Sequence, residues 1–252
     1  MKTKALINFF LSLMILVGLL GSTQTAQAAP QACTPTTVHT GWITSDETWC
    51  LSTGSVHTIS DYAAVQAGVT VTIEPGITVK TDNRIYVDGD LQAVGTAAQP
   101  IIFTSELDGG PDEWYGLEFR GGTGHLDYAT VRYSTEYAIL VKNIQSGELL
   151  IENSQIQDSG WHGVFINNSH VTITDTTFSG TGVNDYGYPV YISDPGSLVT
   201  LSNNTFSGNY LNRVYLTFNA MNGQNITLSP QTGLDGYMVD YWVIPSGITL
   251  TV

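Results

Sequence analysis

Cations are scarce in this sequence: eight Lys and Arg stand against twenty-two Asp and Glu in 252 residues. Two of the eight, Lys2 and Lys4, lie ahead of Ala28, so the rest of the chain carries six basic and twenty-two acidic side chains, a charge of −16. Such a surface repels phosphate backbones, which excludes nucleic acid as a partner; it binds divalent cations readily, although acidity serves solubility equally well. Long helix-compatible periodic runs are missing after Ala28, and so is a second long apolar run. No Ser-His-Asp spacing, zinc motif, phosphate-binding loop or EF-hand spacing occurs. Cysteine is nearly absent.

The one long apolar run is Leu6 to Leu20, preceded by Lys2 and Lys4 and followed by the small-residue stretch Ala26-Gln-Ala28. That order is the pattern of a cleaved signal peptide over residues 1–28, and the run is short of the ~20 residues that a bilayer span needs. The mature chain is expected to be exported, without membrane insertion. In such a chain the two cysteines, Cys33 and Cys50, most simply form one disulfide, clipping the N-terminal segment. No His-Cys cluster surrounds them, so a metal pair lacks support.

What is abundant is alternation. Val69, Val71 and Ile73 share one face of a strand, Pro75-Gly76 turns the chain, and Ile77 and Val79 restore the same face at once. Further on, two ladders can be counted. Leu126, Ile151, Ile173 and Leu201 head similar hexapeptides at intervals of 25, 22 and 28; Leu117, Ile139, Val164, Val190 and Val214 head a second strand at intervals of 22, 25, 26 and 24. Each interval is one turn of a wound β wall.

The stretches Val71-Thr-Ile-Glu-Pro-Gly-Ile-Thr-Val-Lys80, Gly89-Asp-Leu-Gln-Ala-Val-Gly-Thr96 and Gln99-Pro-Ile-Ile-Phe-Thr-Ser105 resemble the opening of secreted bacterial right-handed parallel β-helix repeat proteins, of the pectate-lyase-like superfamily. The resemblance implies an all-β fold: a single-stranded solenoid whose coil length is the interval of those ladders, about 22–28. The expected organisation is a signal peptide at 1–28 and an N-terminal cap with the disulfide at 29–60, in which Trp42 and Trp49 pack over the first coil. A parallel β-helix follows at 61–235, and the start of a second, truncated unit at 236–252. That last expectation rests on Asp61, Tyr62, Gly68, Thr70 and Thr72, which recur at one constant offset as Asp240, Tyr241, Gly247, Thr249 and Thr251. The apolar Tyr237, Met238, Tyr241, Trp242, Val243 and Ile244 make a poor polar cap, so self-association or a downstream β-helix unit is expected at this end.

Parity along the second ladder sends Phe119, Val141, Ile166, Ile192 and Leu216 inward. Asn143, Asn168 and Asp194 are then expected to stack at one corner, and Asn153, Asp175 and Asn203 at another, as structural ladders. Outward stand Glu118 and Arg120, Leu140 and Lys142, Phe165, Tyr191 and Tyr215. Beside them lie Trp114, Tyr115, Tyr137, Trp161, His162, Tyr186, Tyr188 and Tyr210. Sugar rings stack their C–H faces on aromatic rings, so this set is the candidate polysaccharide-binding surface, although the same aromatics would also serve as corner packing.

Asp108, Asp112 and Glu113 on a Gly-Pro turn form the one acidic loop and are a candidate calcium site; no cofactor is required otherwise. Superfamily members include polysaccharide lyases and hydrolases, and for those chemistries the best constellation is Glu118, Arg120 and Lys142, with no second carboxylate on that strand for an inverting hydrolase. The expected function is a non-catalytic module of a surface or adhesin-like protein that binds polysaccharide along its aromatics, with a lyase or glycoside hydrolase as the alternative.

Overall fold

The computed structural model describes residues 32–183, 186–194, 196–217, 226–240, 244 and 246–252; the signal peptide expected at 1–28, and Tyr241, Trp242 and Val243, lie outside this set. Every regular element among the described residues is a β-strand, and every strand pairing is parallel. The strand Thr70–Ile73 shows why. Val71 and Ile73 are buried while Thr70 and Thr72 are half-buried on the other side, and Gly76 takes a left-handed φ of 87° that turns the chain before Ile77 and Val79 re-enter the core.

Each coil crosses three faces in turn. The first holds Ile85–Val87, Leu117–Arg120, Tyr137–Lys142, His162–Asn167, Val190–Ile192, Arg213–Leu216 and Gly236–Val239. The second runs from Glu47–Trp49 to Leu198–Ser202, and the third from Thr78–Lys80 to Thr205–Ser207. Both ladders counted in the sequence hold in the register, residue for residue: Leu126, Ile151, Ile173 and Leu201 are paired neighbours on the second face, and Leu117, Ile139, Val164, Val190 and Val214 on the first. Phe119, Val141, Ile166, Ile192 and Leu216 are all buried in one apolar column.

The corners differ from expectation in an instructive way. Asn143 and Asn168 do stack, with Asn168 Nδ2 donating to Asn143 Oδ1 at 3.1 Å, but Asp194 accepts from Gly196 N in its own turn. Asn153, Asp175 and Asn203 supply left-handed φ values of 46°, 49° and 55°. The ladder that satisfies buried backbone lies one residue later. Ser154, Thr176, Asn204 and Gln231 each accept from the backbone N–H of the preceding coil, at 3.0, 3.4, 3.0 and 2.9 Å. Small left-handed residues make the bend, and their inward neighbours fill the hydrogen bonds that the bend leaves open.

At the N-terminal end the segment expected as a cap is mostly solenoid. Val38–Ile43 pairs with Val56–Val65, and Glu47–Trp49 with Thr70–Ile73. Its apolar alternation is hidden because two of the buried side chains are histidines: His39 and His57 sit at 4.0 and 5.7 Å from the ring of buried Trp49. Trp42 points outward and is exposed, not packed over the end. Covering falls to the short segment before it, where Thr34 N donates to Thr48 O at 2.8 Å and Cys33 is bonded to Cys50 as expected.

The long-period repeat has a backbone counterpart. Gly68 and Gly247 make the same left-handed turn, with φ of 81° and 85°. Glu47 and Thr48 pair with Val71 and Thr72, and Ile226 and Thr227 pair with Leu250 and Thr251, every position displaced by the offset that separates Gly68 from Gly247.

Candidate functional site

Outward residues of the first face form one rank by register: Tyr86, Glu118, Leu140, Phe165, Tyr191, Tyr215 and Met238. Neighbouring members of a parallel rank stand ~4.8 Å apart, which is ring-stacking distance. Phe165 and Tyr191 stack with ring centroids 4.9 Å apart and planes nearly parallel at 11°, while Tyr215 meets Tyr191 edge-on at 5.0 Å. Tyr137 closes on Phe165 at 5.1 Å and on Trp161 at 5.5 Å. The result is a continuous aromatic floor across four coils.

Beside the floor rises a rim of the same chemistry. Tyr115, Trp161, Tyr186 and Tyr210, in the turns that enter Leu117–Arg120 and the three strands from His162–Asn167 to Arg213–Leu216, are 48, 41, 66 and 54 % exposed, and Tyr186 and Tyr210 pack edge to face at 5.4 Å. Three of the candidate residues play other parts. Trp114 is wholly buried, with Nε1 donating to Arg132 O at 2.6 Å, so no sugar reaches it. His162 is 2 % exposed beneath the floor, 4.7 Å from Tyr191; its Nδ1 accepts from Tyr188 N at 2.9 Å, and burial pushes its pKa down to about 4. Tyr188 is also buried, stacked on Tyr215 at 4.6 Å with its hydroxyl on Met238 Sδ. These two support the floor from below.

At the N-terminal end of the rank the aromatics give way to charge. Glu118 is buried and accepts from Arg84 Nη1 at 2.8 Å and Lys142 Nζ at 3.1 Å; Arg84 Nη2 also reaches Glu136 at 3.3 Å. Burial alone would raise the Glu118 carboxyl, but the bonds from Arg84 and Lys142 outweigh it and hold the group below the usual carboxylate range. Arg120 is clamped bidentately by Asp88 at 2.8 and 2.7 Å with its guanidinium 4.3 Å over the Tyr86 ring, and Asp88 raises its pKa. A lyase base must release its proton to accept another. Here every member of the constellation is neutralised by a partner, and the guanidinium is held charged. Arg84 and Asp88 are not legible in the sequence as partners because they come from turns of an earlier coil, 34 and 32 residues away from Glu118 and Arg120, with no local motif.

The acidic loop is likewise used up. Asp108 takes Arg132 Nε and Nη2 at 2.9 and 2.6 Å and Thr104 Oγ1 at 2.6 Å; Glu113 takes Ser105 Oγ and Gly109 N. Asp108, Asp112 and Glu113 therefore do not converge, and among the described residues the one set of three ligand groups within 4.8 Å is Cys33, Cys50 and Glu74, elsewhere in the chain.

Residues 41–140 match the family model of the pectate-lyase like beta helix domain, and residues 115–237 match that of the right handed beta helix region. The chain belongs to the right-handed β-helix, pectate-lyase-like superfamily. Searches of curated proteins and of solved structures found no match. Within this β-helix the first face carries both the aromatic floor and the charged end, and the two models overlap on residues 115–140, where the one passes into the other.

Proposed function

We propose that this β-helix is a non-catalytic, exported module of a surface protein that binds a polysaccharide along its first face. The observation that carries the reading is the aromatic floor of Tyr137, Phe165, Tyr191 and Tyr215 with its exposed rim at Trp161, Tyr186 and Tyr210. Aromatic rings in an axial rank give a long chain of sugars repeated apolar contacts, while Thr217 and the Asn167 side-chain carbonyl on the same face offer polar atoms to its edges, the Asn167 amide N–H being spent on Ser193 Oγ at 2.9 Å. The leader pattern of residues 1–28 and the Cys33–Cys50 disulfide support export. Paired and neutralised, Glu118, Arg120 and Lys142 support binding over turnover.

The test is a panel of neutral and uronate polysaccharides, each assayed in parallel for retardation of the protein in affinity gels and for release of reducing ends or unsaturated products. Retardation by at least one polysaccharide without product release is expected. Steady product release from any of them would overturn the non-catalytic reading.

A further inference from the structure

We infer that the N-terminal end holds a latent metal site: on reduction, Cys33, Cys50 and Glu74 form a dithiolate–carboxylate site for a thiophilic divalent cation such as Zn2+. The two sulfurs and one Glu74 oxygen lie within 4.8 Å of one another. Glu74 comes from the Glu-Pro-Gly corner of the next coil. Its Oε2 accepts from Leu51 N at 2.8 Å, which aims the carboxylate at the residue after Cys50 and leaves Oε1 for another partner. No cation pairs with it among the described residues, so its charge stands beside the disulfide uncompensated.

The chemistry balances simply. An external dithiol or phosphine supplies two electrons, the Cys33–Cys50 bond opens, two protons are taken up, and the reagent is oxidised; metal binding then expels the two thiol protons. Tetrahedral zinc with Zn–S bonds of ~2.3 Å needs sulfurs ~3.8 Å apart. Cys33 can supply that movement, since it is exposed in the short leading segment, whereas Cys50 is buried and Glu74 is anchored through Leu51. Three protein ligands leave a fourth position for water. The disulfide and the metal are thus alternative fastenings of the same segment over the edge of Glu47–Trp49, where Thr34 N meets Thr48 O.

The experiment titrates Cd2+ into the full chain, oxidised and after anaerobic phosphine reduction, and follows thiolate-to-cadmium charge-transfer absorbance with circular dichroism as the check of fold. One Cd2+ per reduced chain is expected, with no such band for the oxidised chain, and Zn2+ should displace it. Glu74→Gln keeps an acceptor for Leu51 N and should weaken Cd2+ at least tenfold, and Cys33→Ser should remove the two-thiolate band. Equal affinity for Glu74→Gln would reduce the site to a plain dithiol and overturn the inference. So would a band in the oxidised chain, no one-to-one binding, or loss of the β-sheet signal on reduction, since Glu74 would then no longer sit beside the thiols.

Discussion

Acidifying the protein from pH 7 to pH 4.5 is expected to cost about 2–3 kcal/mol of unfolding free energy through His162 alone. Its folded pKa, pushed by burial from 6.5 to about 4, lies below the unfolded value. The unfolded chain therefore takes up the proton first. The stability of the neutral imidazole is fully present above about pH 6.5 and is lost progressively as pH falls toward about 4, at ~1.4 kcal/mol per pH unit. Geometry agrees, since Nδ1 accepts from Tyr188 N and a proton there would break that bond. His57, also lowered by burial, adds in the same direction. Urea unfolding at a series of pH values checks this. Replacing the ring by an amide that can still accept, His162→Gln, should flatten most of the slope between pH 6.5 and 4.5; a variant as acid-sensitive as wild type would place the proton uptake elsewhere.

Trp114 and Trp161 should respond very differently to truncation. Trp114→Ala removes a wholly buried ring and leaves Arg132 O without its donor, so a loss of about 4 kcal/mol or more is expected from the cavity and the orphaned carbonyl. Trp161 is 41 % exposed and lies on the rim, so Trp161→Ala should cost less than about 1 kcal/mol. Denaturation midpoints of the two variants at constant pH measure the difference. Comparable losses would mean that the rim is packing and would remove the surface on which the binding reading stands.

The coil ladders were legible in the sequence because parallel stacking forces inward positions to repeat: Leu117 through Val214 are paired as the spacing required. Parity likewise placed Phe165, Tyr191 and Tyr215 outward in one rank. Less legible was anything that depends on the third dimension between turns. Trp114 and Tyr115 are neighbours in the chain, yet one is core and the other rim, and periodicity through a corner does not say which. The sequence pattern points to Asn153, Asp175 and Asn203 as the polar ladder, whereas Ser154, Thr176 and Asn204 carry it, because a left-handed residue at the bend resets the parity. His39 and His57 concealed the first coil, since a pattern search expects apolar residues where these imidazoles stack on Trp49 and bond to each other at 2.9 Å. Glu118, Arg120 and Lys142 were found by the face they share, but Arg84 and Asp88, the partners that neutralise them, come from an earlier coil's turns.

The reading of the first face as a glycan-binding surface is tested most directly by calorimetric titration of wild type and the Trp161→Ala/Tyr191→Ala double variant with the polysaccharide that retards the protein most. Two aromatic contacts at ~1 kcal/mol each predict a loss of about 2 kcal/mol, roughly thirtyfold in affinity. The comparison is made on a variant shown by circular dichroism to keep its β-sheet signal. Unchanged affinity in a folded double variant would contradict the assignment of the aromatic floor and rim to binding.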